Sequence, residues 1–498
     1  MSAVGATVST IVGARITGPG SELLPVEGAY DVFIEGGRVT DLAPTGAVRP
    51  VGEVLQAGGA WLIPGLWDHH VHTVSAALTR QREPLGGAES AHHAAHIMSS
   101  ARLLGRGIRV GAGFRDAFWP DEPTLEMLDA ATGTIPTYLI NADLHSVWLN
   151  SAAFAREQIT PPDASGMLRE EPAFEITRRL AAASPDDADE AVADLARHAA
   201  ARGVVGIIDL DMAWNADSWS RRVAAGFDSL RVKFGTYPSQ LSRLIETGWQ
   251  SGERLSELIT VGPLKVITDG SLGTRTAACS HPYPGDPHNH GVLTIPPADL
   301  VALMTDATAH GISCAIHAIG DLANTHALDA FAATGATGTI EHAQLVAAVD
   351  IPRFARLGVG ASVQPEHALD DRDLSDTIWS AQIARPYPFR ELVDAGANLL
   401  FGSDAPVAPL DPWAAMASAI YRTRDGRPPW QVEQAIDARV ALAASTHGGS
   451  AAPGRIEPGT VADLVLCAQD PLTASESDLR TMPVRATLLG GRVTHLED

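Results

Sequence analysis

Eight short apolar runs, most of them separated by helical patterns, are the feature that most limits how this chain can fold. The runs end near His72, Leu210, Gly235, Thr268, His317, His342, Val363 and Ser403. Apolar runs that alternate with helices form parallel sheets, because each helix carries the chain back to the end of the sheet at which the previous strand began. Eight such strands are the number that closes a barrel. The pattern therefore predicts an α/β fold with a (β/α)8 barrel.

Both ends of the chain carry short strand-like runs with no helix between them, at residues 8–12 and 30–34 and again at 462–466 and 485–489. We therefore predict one small β-sandwich-like domain built from residues 1–60 and 455–498. The barrel is predicted to occupy residues 61–454. Within it, the segment at about 74–183 breaks the alternation and is interpreted as an insertion after the first strand. A chain of 498 residues suits this division.

The charge balance limits the partners of the protein. Lysine and arginine total 36, aspartate and glutamate total 59, and the formal net charge is −23. Such an acidic surface argues against nucleic acid and anionic membranes, and no uncharged apolar run is long enough to span a bilayer. The three cysteines lack paired spacing, and the amino-terminal residues lack a secretory signal. We expect a cytoplasmic protein that acts on a small molecule. Both a monomer and a homo-oligomer are compatible with the sequence.

The strongest local motif is a His-x-His pair at the end of the first predicted strand. Side chains alternate along a strand, so His70 and His72 share one face with Asp68. Two imidazoles spaced in this way can bind one metal ion. Asp68 is predicted to accept hydrogen bonds that orient them. A His-x-His pair taken alone also fits a solvated strand end.

Three later runs decide between these interpretations, because each ends at or just before a residue of a metal-binding type. These residues are His317, His342 and Asp404. In a barrel the carboxyl ends of all strands form one rim, and active sites lie there. The sequence therefore predicts a divalent-metal site with one or two ions. Zinc is the expected ion, although manganese and iron suit the same ligands.

Lysine is rare in this chain, which contains only Lys233 and Lys265 among its 36 basic residues. Lys265 lies on the predicted fourth strand, where a buried ammonium would be costly and would repel a metal ion. A lysine carboxylated by CO2 is instead an anionic ligand that can bridge two ions. The alternative is an ordinary ion pair with a nearby carboxylate. For Lys233, one strand earlier, either a contact that supports the metal ligands or a structural role is predicted.

These motifs resemble the amidohydrolase superfamily, in particular the amidohydrolase family 3 branch that contains N-substituted formamide deformylase. The resemblance covers nearly the whole chain and is carried by residues 68–72, 269–277, 317–321, 341–344, 364–365 and 402–407. It implies a distorted (β/α)8 barrel with a β-domain formed by both termini. The metal ligands that it implies are His70, His72, Lys265, His317, His342 and Asp404.

The resemblance also implies that the insertion covers the site. Residues 143–150 match a histidine-containing family motif, with Leu144 where the family usually has glycine. We expect His145, Arg275 and Gln364 to contact the substrate. For His367, which follows the seventh strand, a substrate contact and a purely structural role are equally compatible with the sequence. Histidines 92, 93 and 96 are expected to be solvated.

The resulting hypothesis is a metal-dependent hydrolase that cleaves a C–N bond of amide type in a small molecule. Water activated by metal is the nucleophile, and Asp404 is the general base. One alternative is a one-metal deaminase or cyclic-amide hydrolase on the same barrel. The other is a non-catalytic scaffold that kept the fold.

Overall fold

The computed structural model describes residues 3–24, 28–104, 107–181, 185–380 and 382–497. The chain begins with strands that pair with one another before the barrel starts. They are β1 (Thr10–Ile16), β2 (Tyr30–Glu35), β3 (Arg38–Pro44), β4 (Val54–Gln56) and β5 (Trp61–Pro64). The strand β6 (Leu66–Val71) follows after one residue and is the first strand of the barrel.

The insertion after β6 forms a sheet of its own. Its elements are α1 (Thr73–Thr79), β7 (Glu83–Pro84), α2 (Ala91–Ser100), β8 (Arg109–Phe114), α3 (Leu125–Thr132), β9 (Thr137–Asn141), β10 (Ser146–Leu149), α4 (Ser151–Glu157), β11 (Met167–Arg169) and α5 (Glu171–Ala181). The strands lie in the order β11-β10-β9-β8-β7. Residue 183, the predicted end of the insertion, lies outside the described residues.

The remaining barrel elements alternate between helices and strands. They are α6 (Pro185–Ala201), β12 (Val204–Asp209), α7 (Asn215–Ala224), β13 (Arg231–Thr236), α8 (Leu241–Thr247), β14 (Ile259–Ile267), α9 (Pro297–Ala309), β15 (Cys314–Ala318), α10 (Asp321–Thr334), β16 (Gly338–His342), β17 (Leu345–Val346), α11 (Ile351–Leu357), β18 (Gly360–Val363), α12 (Pro365–Asp370), α13 (Arg372–Ile378), β19 (Arg385–Pro386), α14 (Phe389–Asp394), β20 (Leu399–Phe401), α15 (Pro412–Tyr421) and α16 (Ala438–Ala444).

Eight strands of the described chain form one parallel sheet, in the order β20-β18-β16-β15-β14-β13-β12-β6. A parallel bridge between Val71 and Ala405 brings the first and last strands together, so the sheet is nearly closed. Strands β15 and β18 are buried along their whole length, as expected for parallel strands that are covered on both faces. The predicted distorted (β/α)8 barrel is confirmed.

The chain ends with β21 (Leu464–Cys467), α17 (Glu476–Arg480), β22 (Val484–Leu489) and β23 (Arg492–Leu496). These strands join the amino-terminal ones in a sheet of order β23-β22-β21-β5-β1-β2-β3, with β4 beside β1. The sheet includes Trp61–Pro64 and therefore extends beyond residue 60. It has its own apolar core, in which Ile11, Leu62 and Leu464 are buried together. Among the described helices, none is both long and apolar enough to cross a bilayer.

Candidate metal centre and its cavity

His70 and His72, at the end of β6, meet Asp404, which follows β20 and is far away in the sequence. Oδ1 of Asp404 lies 3.3 Å from Nε2 of His70 and 3.2 Å from Nε2 of His72. The backbone N–H of Asp404 donates to the carbonyl of His70 at 2.7 Å, which fixes this approach. Gly402 makes it possible, because a Cβ at that position would lie only 2.7 Å from the backbone nitrogen of His70.

The chemistry of this group fits a divalent ion. Ligand atoms about 2.0–2.1 Å from a tetrahedral zinc ion are roughly 3.3 Å apart, which follows from the bond lengths. The ligand atoms of His70, His72 and Asp404 are close enough to one another to hold one ion. Burial alone would raise the pKa of the Asp404 carboxyl, but His70, His72 and His342 outweigh burial and hold it well below its usual value. Asp404 is therefore an anionic ligand.

Glu341 sets the hydrogen position on His70. Its Oε2 lies 2.6 Å from Nδ1 of His70, and both side chains are buried. A carboxylate only accepts hydrogen bonds, so Nδ1 carries the hydrogen and Nε2 is free to bind metal. Burial alone would raise the pKa of Glu341, but the hydrogen bond from His70 is the largest of the effects that lower it to about 2.

Asp68 was predicted to orient the imidazoles, but the structure gives it a different role. Its Oδ1 accepts the backbone N–H groups of His70 at 3.1 Å and Ser403 at 2.9 Å. Asp68 therefore braces the backbones of β6 and of the segment after β20, and the carboxylate that orients an imidazole is Glu341. Burial raises the pKa of Asp68 to about 7.

Glu341 was missed because strand alternation hides it. Glu341 and His342 are neighbours on β16, so an ideal strand would point their side chains to opposite faces. The backbone of His342 instead has φ 75°, and that of Ala343 has φ 42°. These left-handed values are rare for residues other than glycine and turn the chain out of the strand at the site. Both side chains then reach the metal centre.

Gln364 orients the ring of His342, another histidine at the rim of the barrel. Its Oε1 accepts from Nδ1 of His342 at 2.8 Å, which leaves Nε2 of His342 free. Gln364 was predicted to contact the substrate, but it lies behind His342 and does not line the cavity. The ring of His317 lies 4.5 Å from that of His342, and its Nε2 donates to the carbonyl of Gly270 at 3.3 Å. The free nitrogen of His317 is therefore Nδ1.

Lys265 lies at the same centre, and Lys233 does not. Lys265 is 1% exposed, and its Nζ lies 3.4 Å from Nε2 of His70. Burial lowers its pKa, and the charges that oppose this shift belong to Glu341 and Asp404. Lys233 lies elsewhere in the barrel, with Nζ 3.0 Å from Nε2 of His447.

A second group of close ligand atoms shares Asp404 with the first. It consists of His342, His367 and Asp404, all of them buried. Nε2 of His367 lies 3.9 Å from Oδ2 of Asp404. Among the described residues, His317 belongs to neither group. The structure therefore places His367 beside Asp404, whereas the sequence left both a substrate contact and a structural role open.

A cavity of about 880 Å³ opens above the metal centre. It is lined by His70, His72, Lys265, His317, His342, His367 and Asp404, and by His145 and Arg275. Arg275 is exposed, and its backbone has φ 56°. Histidines 92, 93 and 96 are exposed on α2.

The insertion is attached to the loop after β14 through Glu170. Its Oε2 accepts from Nδ1 of His145 at 2.9 Å. Its Oε1 accepts from the hydroxyl groups of Thr276 at 3.1 Å and Thr274 at 3.3 Å. Glu170 also has a left-handed backbone, with φ 52°. No motif in the sequence marked Glu170, because its threonine partners lie more than a hundred residues away and only the fold brings them beside it.

A parallel barrel with histidine and carboxylate ligands at the carboxyl ends of its strands is the arrangement of barrel metallohydrolases. The sequence model of the protein family described as "Amidohydrolase family" matches residues 53–495 of this chain. The chain therefore belongs to the amidohydrolase family, in the family 3 branch, and is a hydrolase of carbon–nitrogen bonds other than peptide bonds.

Individual relatives agree with this assignment. The chain is 25% identical to N-substituted formamide deformylase of Arthrobacter pascens, over 93% of this chain and 94% of the relative. It is 29% identical to protein LONG AFTER FAR-RED 3 of Arabidopsis thaliana, over 87% and 82% respectively. A solved structure, an uncharacterized metal-dependent hydrolase from Pyrococcus horikoshii, has a TM-score of 0.79 and 26% identity, over 94% of this chain and 99% of that chain.

Proposed function

We propose that this protein hydrolyses the C–N bond of an N-substituted amide, with water as the nucleophile and Asp404 as the general base. The observation that carries the proposal is that the two oxygens of the Asp404 carboxylate have different neighbours. Oδ1 lies 3.2 and 3.3 Å from the imidazole nitrogens of His72 and His70. Oδ2 lies on the side of His367, 3.9 Å from its Nε2, which is beyond hydrogen-bond distance. One oxygen can hold an ion while the other accepts a proton.

His70, His72 and Asp404 would hold a divalent ion, for which zinc is our proposal. When bound, such an ion makes water more acidic and polarises a carbonyl group. Asp404 accepts a proton from water as the new C–O bond forms. It then transfers that proton to nitrogen as the C–N bond breaks, so the products are an acid and an amine.

The size of the cavity supports an amide with a substituent. A volume of about 880 Å³ is in the range of pockets that hold drug-sized molecules. Phe118, Phe174 and Leu374 supply apolar surface around it. The relative from Arthrobacter pascens is named for N-substituted formamides, and an apolar N-substituent would occupy this surface.

Lys265 is proposed to be carboxylated and to bridge two ions. Three observations support this role: the scarcity of lysine in the chain, the burial of Lys265, and the 3.4 Å distance from its Nζ to Nε2 of His70. An ammonium group at that distance would oppose an ion held by His70, whereas a carbamate would attract it.

A one-metal deaminase or cyclic-amide hydrolase is the second candidate. It is favoured by the position of His317, which lies outside both groups of close ligand atoms among the described residues. A metal count separates the two candidates, because a one-metal enzyme needs only the ligands around His70, His72 and Asp404.

The test is a hydrolysis assay with the zinc-loaded enzyme. N-benzylformamide, N-benzylacetamide, dihydrouracil and cytosine serve as probes for open amides, cyclic amides and deamination. We expect amine release from the open amides and a loss of kcat of at least about 100-fold in Asp404→Asn, within the range for a lost general base. Asp299→Asn, an exposed change on α9, is the matched control. A loss below tenfold in Asp404→Asn would assign the base to another residue, and ammonia release from cytosine would favour the second candidate.

A further inference from the structure

His367 is buried beside the metal centre, although it lies outside the ligand set that the sequence implied. Strand β18 ends at Val363, and Pro365 begins the short helix α12 after Gln364. This turn places His367 against the cavity, where it is 5% exposed. Its ring is nearly parallel to that of His342, with the centroids 6.2 Å apart.

The neighbours of His367 determine which ring nitrogen carries its hydrogen. Nε2 of Gln344 lies 3.4 Å from Nδ1 of His367. An amide nitrogen only donates, so Nδ1 is the acceptor in this pair and the hydrogen of the neutral ring is on Nε2. His367 therefore presents an N–H group to the site, whereas His70 and His342 present bare nitrogens.

This N–H group has no acceptor among the described residues. Nε2 of His367 is buried without a hydrogen-bond partner. Oδ2 of Asp404, at 3.9 Å, is too distant to accept from it. Buried donors are nearly always paired, so a donor left free at the wall of a reaction cavity indicates a ligand atom that completes it.

We propose that His367 is a further catalytic residue, which donates a hydrogen bond from Nε2 to the carbonyl oxygen of the scissile amide. The assignment rests on the proposed amide hydrolysis. As water attacks, a C–O bond forms and the electron pair of the C=O double bond moves onto the carbonyl oxygen. The N–H of His367 stabilises this developing negative charge, while Oδ2 of Asp404 takes the proton of the water. When the C–N bond breaks, the double bond re-forms and the nitrogen receives the proton from Asp404.

The position of His367 suits this division of roles. Nε2 of His367 faces Oδ2 of Asp404 at a distance of 3.9 Å. One is a donor for an oxyanion, and the other is an acceptor for a proton. They can act on the two oxygens of one tetrahedral carbon without competing for the same atom.

The test compares His367→Leu with His367→Gln, whose amide nitrogen can replace Nε2 as a donor. Three properties of the zinc-loaded enzymes are measured: zinc content, kcat and KM for N-benzylformamide, and the affinity for benzylphosphonate, a tetrahedral anion, by calorimetry. His96→Leu, on the exposed face of α2, is the control, and circular dichroism verifies folding.

We expect both variants to keep their zinc. The leucine variant should lose about 100-fold in kcat, as when one oxyanion donor is removed, and at least about tenfold in phosphonate affinity. The glutamine variant should recover most of both. Loss of zinc from the leucine variant would make His367 a metal ligand and overturn the assignment. Equal phosphonate affinity in all variants, or no binding by the wild type, would also overturn it. If the wild type hydrolyses no amide but the phosphonate results hold, the proposed function fails and the donor role of His367 stands.

Discussion

Nδ1 of His70 lies 2.6 Å from Oε2 of Glu341, and this pair connects the first strand of the barrel to the sixth. The hydrogen bond fixes the ring of His70 and directs its Nε2 toward Asp404. A metal ligand held in this way is oriented before the ion arrives, so the pair contributes to metal affinity as well as to packing.

Glu341→Gln should weaken zinc binding about 10- to 100-fold, the usual effect of losing a partner of a ligating histidine. The amide of glutamine can present a donor to Nδ1 and so favour the wrong hydrogen position on the ring. Competition with a chromogenic chelator measures the affinity. Glu246→Gln, on the exposed face of α8, is the control. Unchanged affinity in Glu341→Gln would mean that the ring of His70 is held by other contacts.

Removal of the metal should abolish hydrolysis and lower Tm. The buried ligands around Asp404 lose the ion that links them, and ligand binding stabilises only the folded state. Dialysis against 1,10-phenanthroline, followed by calorimetry and elemental analysis, tests this expectation. Added zinc should restore both Tm and activity. Full activity in protein without measurable metal would contradict the metal-dependent mechanism.

Carboxylation of Lys265 should be visible in ¹³C NMR of protein incubated with ¹³C-bicarbonate. The wild type and Lys233→Met should give a carbamate signal, because Lys233 lies against His447 and away from the metal centre. Lys265→Met should give no such signal. It should bind about one ion where the wild type binds about two, because it lacks the carbamate proposed to join the second ion. The remaining ligands suffice for a single tetrahedral ion, which uses only four. The same signal in Lys265→Met, or one ion in the wild type, would exclude the bridge.

Glu170→Gln should raise KM more than it lowers kcat. Its carboxylate holds His145 and the threonine loop, and losing a charge-assisted hydrogen bond of about 1.5–3 kcal/mol corresponds to an affinity loss of roughly tenfold or more. Glu126→Gln, an exposed change on α3 in the same insertion, is the control. Steady-state kinetics with N-benzylformamide separate the two constants. A fall in kcat alone would place His145 in the chemical step.

Local periodicity explains why much of the site could be predicted. His70, His317 and His342 each lie at the end of an apolar strand, and the barrel brings such ends to one rim. Strand alternation failed at β16, where the left-handed backbone of His342 lets Glu341 share the site. It also assigned to Asp68 a role that the structure gives to Glu341, because Asp68 is occupied by two backbone N–H groups.

The sequence by itself determined the eight strands, the short strands near both termini and the types of ligand at the strand ends, since each of these follows from the pattern within a single segment. Tertiary structure decided which groups meet. Gln364 contacts His342, Glu170 contacts His145, and Nε2 of His367 faces Asp404. Each of these contacts depends on where separate strands and loops pack and on backbone turns with positive φ. Residue spacing carries no information about a partner on another strand, so only the folded barrel could reveal them.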